Sequence, residues 1–209
     1  GRSVIRSAPF YRVFYIVMAL TTKLEAVNTM IAVIGEAPVN TLAGTAVPIT
    51  VVQAENVLDE TSRAIQSEGW HYNTEHEYSF TPDVTTSKIT LPSNVLQIDL
   101  NTENYTDVDP VQRGNKLYDR KNHTEVWSKE IKASVVFQLD FTELPEQFRN
   151  YITIKAARIF SNRFLGSREI EGFAIRDEIE AKARAIESDS ENADRTIFDN
   201  YSVLRVLDR

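Results

Sequence analysis

The apolar residues of this chain change their period twice, and that double switch constrains the fold more than any other feature. Leu24, Val27, Ile31 and Ile34 recur at steps of three and four, the spacing of one helix face. Thr22 and Glu25 stand at capping-box distance before them, and Gly35 with Pro38 supplies a stop. A glycine after a helix closes its last turn, whereas a phosphate-binding glycine precedes a helix N-terminus, so Gly35 reads as a cap. Val51, Ala54, Leu58, Thr61 and Ile65 predict a second helix, with Pro48 in its first turn and Gly69 at its end.

From Trp70 to Phe141 the period falls to two. Leu96, Ile98 and Leu100 alternate, as do Val135, Phe137 and Leu139, while Pro82, Pro92, Pro110 and the Gly114-Asn115 pair separate short runs. Roughly five or six short strands are expected, much of them edge or loop. Helical period then returns with Phe148, Ile152, Ala156 and Ile159 after Pro145. A short link at Leu165-Gly166-Ser167, with Ser167 as a cap, leads into Phe173, Ile175, Ile179 and Ile186, and its brevity makes the last two helices antiparallel neighbours.

The predicted class is therefore α+β: an antiparallel helical bundle built from two helix pairs, residues 18–69 and 143–187, with an inserted β-meander lobe over residues 70–142. Residues 1–17 are expected to be a non-native or upstream leader, since "MALTTKLEAVN" from Met18 reads as a natural start. The apolar run from Val13 to Leu20 is far short of the ~20 residues that a membrane-spanning helix needs. At the other end "SDSENAD" reads as an acidic spacer. It leads to Phe198, Tyr201, Leu204 and Leu207, too apolar for a free terminus, so residues 188–209 are expected to dock as an arm. Docking on the chain's own bundle and docking on a neighbouring subunit both satisfy that pattern.

Chemistry is sparse. No cysteine is present, which removes disulfides, thiolate metal sites and cysteine nucleophiles together. A net charge of −7 argues against a surface that grips nucleic acid by its backbone. His71 and His76 flank and adjoin Glu75 and Glu77, but five-residue spacing on a strand puts them on opposite faces, and no H-E-x-x-H pattern occurs. Ser167 lacks the G-x-S-x-G surroundings of a nucleophile. Asp107 with Asp109, or Asp140 with Glu143, are the carboxylate pairs a glycan hydrolase would offer, and each has a turn explanation. Asn104 and Asn122 head glycosylation-type triplets without any secretory context. No catalytic, cofactor-binding or metal-binding residue is assigned, and no enzyme is expected. Arg149, Lys155, Arg158, Arg163 and Arg168 face the acidic run from Glu169 to Glu187, either as ion pairs within the chain or as complementarity between copies.

The segments "LEAVNTMIAVIGEAPVNTL", "AIQSEGWHYNTE" and "ELPEQFRNYITIKAARIFSNRFLGSREIEGF" strongly resemble the tail tubular protein A family of short-tailed, podovirus-type phages, in the family's order and over nearly the whole chain after Met18. The resemblance implies a tail adaptor, or gatekeeper: a dodecameric ring below the portal protein and above the nozzle of tail tubular protein B, near the tail-fibre attachment, with DNA passing through its lumen unbound. It implies a virion tail component, assembled in the host cytoplasm, without cofactor or membrane. Phe198, Tyr201, Leu204 and Leu207 are the interface residues expected of the arm. The rival readings are a glycan-hydrolysing tail component and an adaptor for a non-viral multimer.

Overall fold

The computed structural model describes residues 20–44, 46–100, 105–165 and 168–198. In chain order these form α1 (Lys23–Val33), α2 (Ile49–Gln66), β1 (Thr74–Phe80), β2 (Val95–Asp99), β3 (Pro110–Arg113), β4 (Lys116–Asp119), β5 (Ile131–Phe137), α3 (Glu146–Leu165) and α4 (Arg168–Phe198), an α+β fold. Short 3-10 turns at His71–Asn73 and Phe141–Glu143 mark where the chain leaves and re-enters the helices.

Helix α1 begins with the capping box read from the sequence: Thr22 Oγ1 accepts the Glu25 N–H at 3.2 Å, and Glu25 accepts the Thr22 N–H at 2.7 Å. It ends at Gly35, whose φ of +82° costs little in a residue without Cβ, and the Glu36 N–H reaches back to Ile31 O. Pro48 is the N-cap residue of α2 rather than a member of its first turn. Val27 and Ile31 of α1, Val51, Ala54, Leu58 and Ile65 of α2, and Phe148, Tyr151, Ile152, Ala156 and Phe160 of α3 fill one core.

The strands do not follow a simple meander. A meander would set β1 beside β2, but the order is β1-β5-β2, all antiparallel, with β3 and β4 as a separate hairpin. Composition explains the order. The last strand, "IKASVVF", buries Ile131, Ala133, Val135, Val136 and Phe137 and takes the centre, where both edges are paired. The first, "TEHEYSF", is mostly exposed and takes an edge. Its register slips between Glu75 and Tyr78, with Glu77 at φ +56°, a bulge of the kind that blunts an open edge. Phe80, Ile89, Leu91, Leu117, Trp127, Ile131 and Val135 make a second core, and the Trp127 indole N–H is satisfied by Leu117 O at 3.1 Å.

Two expectations about the last helix change. Helix α4 runs through the acidic segment from Ser188 to Phe198, so that stretch is helical rather than a spacer. Its apolar row also does not face the core. Ile175, Ile179 and Ile186 are exposed, and the residues it buries against the bundle are Ala181 and Ala185. Small side chains there let α4 lie close to α3, and the ion pair Arg158–Glu178 closes the same antiparallel contact at 2.5 Å.

The β3–β4 hairpin is organised by a buried carboxylate. Asp119 Oδ1 accepts the backbone N–H groups of Asp109 (3.0 Å), Lys121 (2.9 Å) and Asn122 (3.2 Å), and Oδ2 accepts the Asn122 amide at 2.6 Å. Burial alone would raise its pKa, but these donors outweigh burial and hold it below the ordinary carboxylate value. The stabilisation it contributes is therefore complete above the unfolded-state value near pH ~4 and is lost as pH falls below it towards the depressed native value. Thermal melts between about pH 5 and pH 3 should show a steeper loss in the parent than in Asp119→Asn, whose melting temperature starts lower and loses that component of the slope.

Candidate functional site

The chain crosses between helices and strands twice, and both crossings meet at one seam. Gln66, in the last turn of α2, has no exposed surface. Its side-chain amide pairs with the backbone of Leu139: Nε2 donates to Leu139 O at 3.1 Å and Oε1 accepts the Leu139 N–H at 2.8 Å. Asn73, also buried, donates from Nδ2 to Gln66 O (2.9 Å) and Phe137 O (2.8 Å), while its Oδ1 accepts the Trp70 N–H at 2.9 Å. Trp70 and Tyr72 both contact the Phe148 ring, with centroids 4.9 and 4.5 Å apart, and Leu139 packs against both cores. Helix α4 joins the seam from outside, where Asp189 accepts the His71 N–H at 3.0 Å. The Tyr72 hydroxyl is pushed well above its usual range, first by burial and then by the Asp189 and Glu68 charges.

A second knot ties the start of α1 to the start of α3. Arg149 is 4 % exposed and donates to the carbonyls of Leu144 (2.8 Å), Thr21 (2.9 Å) and Thr142. Thr21 in turn donates its N–H to Glu146 at 2.9 Å. Of the basic residues read as a face of α3, Arg149 is thus buried among carbonyls, Arg158 pairs with Glu178, Arg163 pairs with Glu60 at 3.1 Å, and Lys155 lies over its own neighbour Tyr151. Those charges are engaged within the chain. The Arg168 side chain lies outside the described residues.

An open cleft of about 310 Å³ lies beside the seam, lined by Tyr72, Asn73, Glu75, Tyr78, Phe137 and Leu139 among others. Glu75 is the single carboxylate of that lining, which gives no acid–base pair. The other candidate carboxylates hold structure: Asp107 pairs with Lys129 at 2.6 Å, Asp109 with Arg120 at 2.7 Å, and Glu143 accepts the Asp140 N–H at 3.0 Å. His76, on β1, has its Nδ1 3.0 Å from Ser134 Oγ of β5, whereas His71 sits in the preceding 3-10 turn, so the two do not converge. Among the described residues no group of three or more His, Cys, Asp or Glu side chains is arranged to hold a metal. The Asn122 amide is spent on Asp107 O and Asp119. Asn104 and Ser167 lie outside the described residues, as do Tyr201, Leu204, Leu207 and the side chain of Phe198, whose backbone closes α4.

What the described surface does offer is apolar area. Ile179 is 64 % exposed on α4, with Ile175 and Ile186 on the same side, and Ile49, Val52 and Val33 are exposed at the opposite ends of the α1–α2 connection. No helix is long and apolar enough to cross a membrane among the described residues. The seam fixes the two lobes relative to each other. Replacing Gln66 with Leu should cost about 1–3 kcal/mol in urea unfolding, because the Leu139 N–H and C=O lose their partners. Amide exchange at Leu139 should quicken in that variant, with exchange in the centre of β5 little changed.

No curated protein matches the sequence. A family model described as Tube: Tail tubular protein matches residues 24–195, a span that takes in both helix pairs and the whole β lobe. The chain therefore belongs to the tail tubular protein family, structural components of the phage virion tail.

Proposed function

We propose that the chain is the tail adaptor of a short-tailed phage: a ring, dodecameric when assembled, seated between the portal protein and the nozzle of tail tubular protein B, close to the tail-fibre attachment. The observation that carries this reading is a family match extending unbroken through bundle, β lobe and most of α4. In this reading the helical bundle of residues 18–69 and 143–187 makes the ring wall, while the β lobe of residues 70–142 and the end of the 188–209 arm, beyond the Asp189 contact with its own chain, meet adjoining subunits or rings. A net charge of −7 suits a lumen through which DNA must slide during packaging and ejection without being held. Subunits arranged head to tail close into a ring when each interface carries the right rotation. Phe198, Tyr201, Leu204 and Leu207 are the anchors of the arm, since aromatic and aliphatic side chains carry most of the energy of an interface.

Mass photometry of the full chain, alone and with portal particles, tests the reading. A ring-sized mass increment on the portal is expected, and absence of association at any salt concentration overturns the adaptor. Substituting Phe198, Tyr201, Leu204 and Leu207 together with alanine should weaken that increment; unchanged assembly would remove the arm from the scheme and leave the ring.

A further inference from the structure

Helix α4 is built inside out. It spans 31 residues, about 46 Å of helix, yet its buried residues among those described are two alanines. At 3.6 residues per turn, Ile175, Ile179 and Ile186 fall within an arc of about 40°, centred about 120° around the helix from Ala181 and Ala185. So α4 carries two faces: one of small residues laid on α3, and one of branched residues facing away from the bundle. A long helix gains most of its stability from a packed apolar face, and the branched face of α4 is covered by nothing among the described residues.

The remaining helices show what fits it. Helix α3 packs against α1, α2 and α4, whereas α4 packs chiefly on α3 and touches the His71–Asn73 turn, so α3 stands between α4 and the α1–α2 pair. On that pair, Val33 ends α1 while Ile49 and Val52 open α2, and all three are exposed. One bundle thus has an apolar row on one flank and an apolar corner on the other, two different patches that cannot meet within one chain. Two unlike patches on separate flanks are the requirement for a heterologous contact between identical subunits. The charges beside them are compatible: Lys182 lies in the row between Ile179 and Ile186, and Glu36, which accepts the Thr50 hydroxyl, lies beside the corner.

We infer that the outer face of α4, Ile175, Ile179 and Ile186, docks on the Val33, Ile49 and Val52 corner of a second copy of this chain. The inference rests on the ring reading for its closure, but assigns the contact surface independently of the portal, the nozzle and the arm.

The absence of cysteine makes the contact directly testable. A chain carrying both Ile179→Cys and Val52→Cys is oxidised at high concentration and, separately, in assembled tails on portal particles. The two exposed positions tolerate the change, and unaltered circular dichroism and melting confirm the fold before oxidation. A reducible ladder of dimers, trimers and higher species is expected from the double variant, with monomer persisting in each single variant. Dimers from Ile179→Cys alone would mean that α4 meets α4, and would overturn the inference. Cross-linking of Ile179→Cys to another tail protein would overturn it also. A ring-sized increment on the portal with no ladder would remove this surface while leaving the ring. A ladder without portal association would keep the surface and remove the adaptor reading. Neither ladder nor ring would overturn both.

Discussion

The pairing of the Gln66 amide with the Leu139 backbone holds this protein together as one object. An inserted lobe is tied to its host where the chain leaves and where it returns, and nothing obliges those two points to be neighbours. Here a single buried side chain, in the last turn of α2, bonds the backbone just past the returning strand in both directions, and Asn73, on the outgoing segment, ties Gln66 O to Phe137 O at the end of that strand. Buried amides are costly when unpaired, so the geometry in which all of them are satisfied is strongly favoured over its neighbours. The helical core and the β core are otherwise separate, with Leu139 packing against both.

The four helices and the two ends of α1 were legible because the signals were local. The Thr22–Glu25 box and the Gly35 stop each need only a few adjacent residues. Strand order was not legible, because choosing β5 for the centre requires comparing segments more than fifty residues apart for burial on both faces. Arg149 was read as part of a basic surface, though its position in the first turn of α3 beside a buried Phe148 was a hint of burial. Gln66 gave a similar hint, occupying a position continuous with the apolar stripe of Leu58 and Ile65. The orientation of α4 was the furthest from reach: periodicity finds an apolar face, but not whether the chain itself supplies the surface that covers it.

The candidate site follows the same division. Sequence motifs pointed away from catalysis, and the structure accounts for the tempting carboxylates as partners of Lys129, Arg120 and the Asp140 N–H. Shape and surface are not encoded in short motifs. A structural component of a tail is recognised by a fold-long pattern, and the family match over residues 24–195 is of that length.

The bond between Asp189 and the His71 N–H gives α4 a mechanical role. The helix passes its two alanine contacts on α3 and then reaches the seam, so one helix carries both its outer face and the contact with the root of the β lobe. Ile179 and Ile186 stand about three turns and about one turn of helix from Asp189, which bonds the turn from which β1 departs. The outer face of α4 and the root of the β lobe are therefore linked through one helix, beside the Gln66 seam.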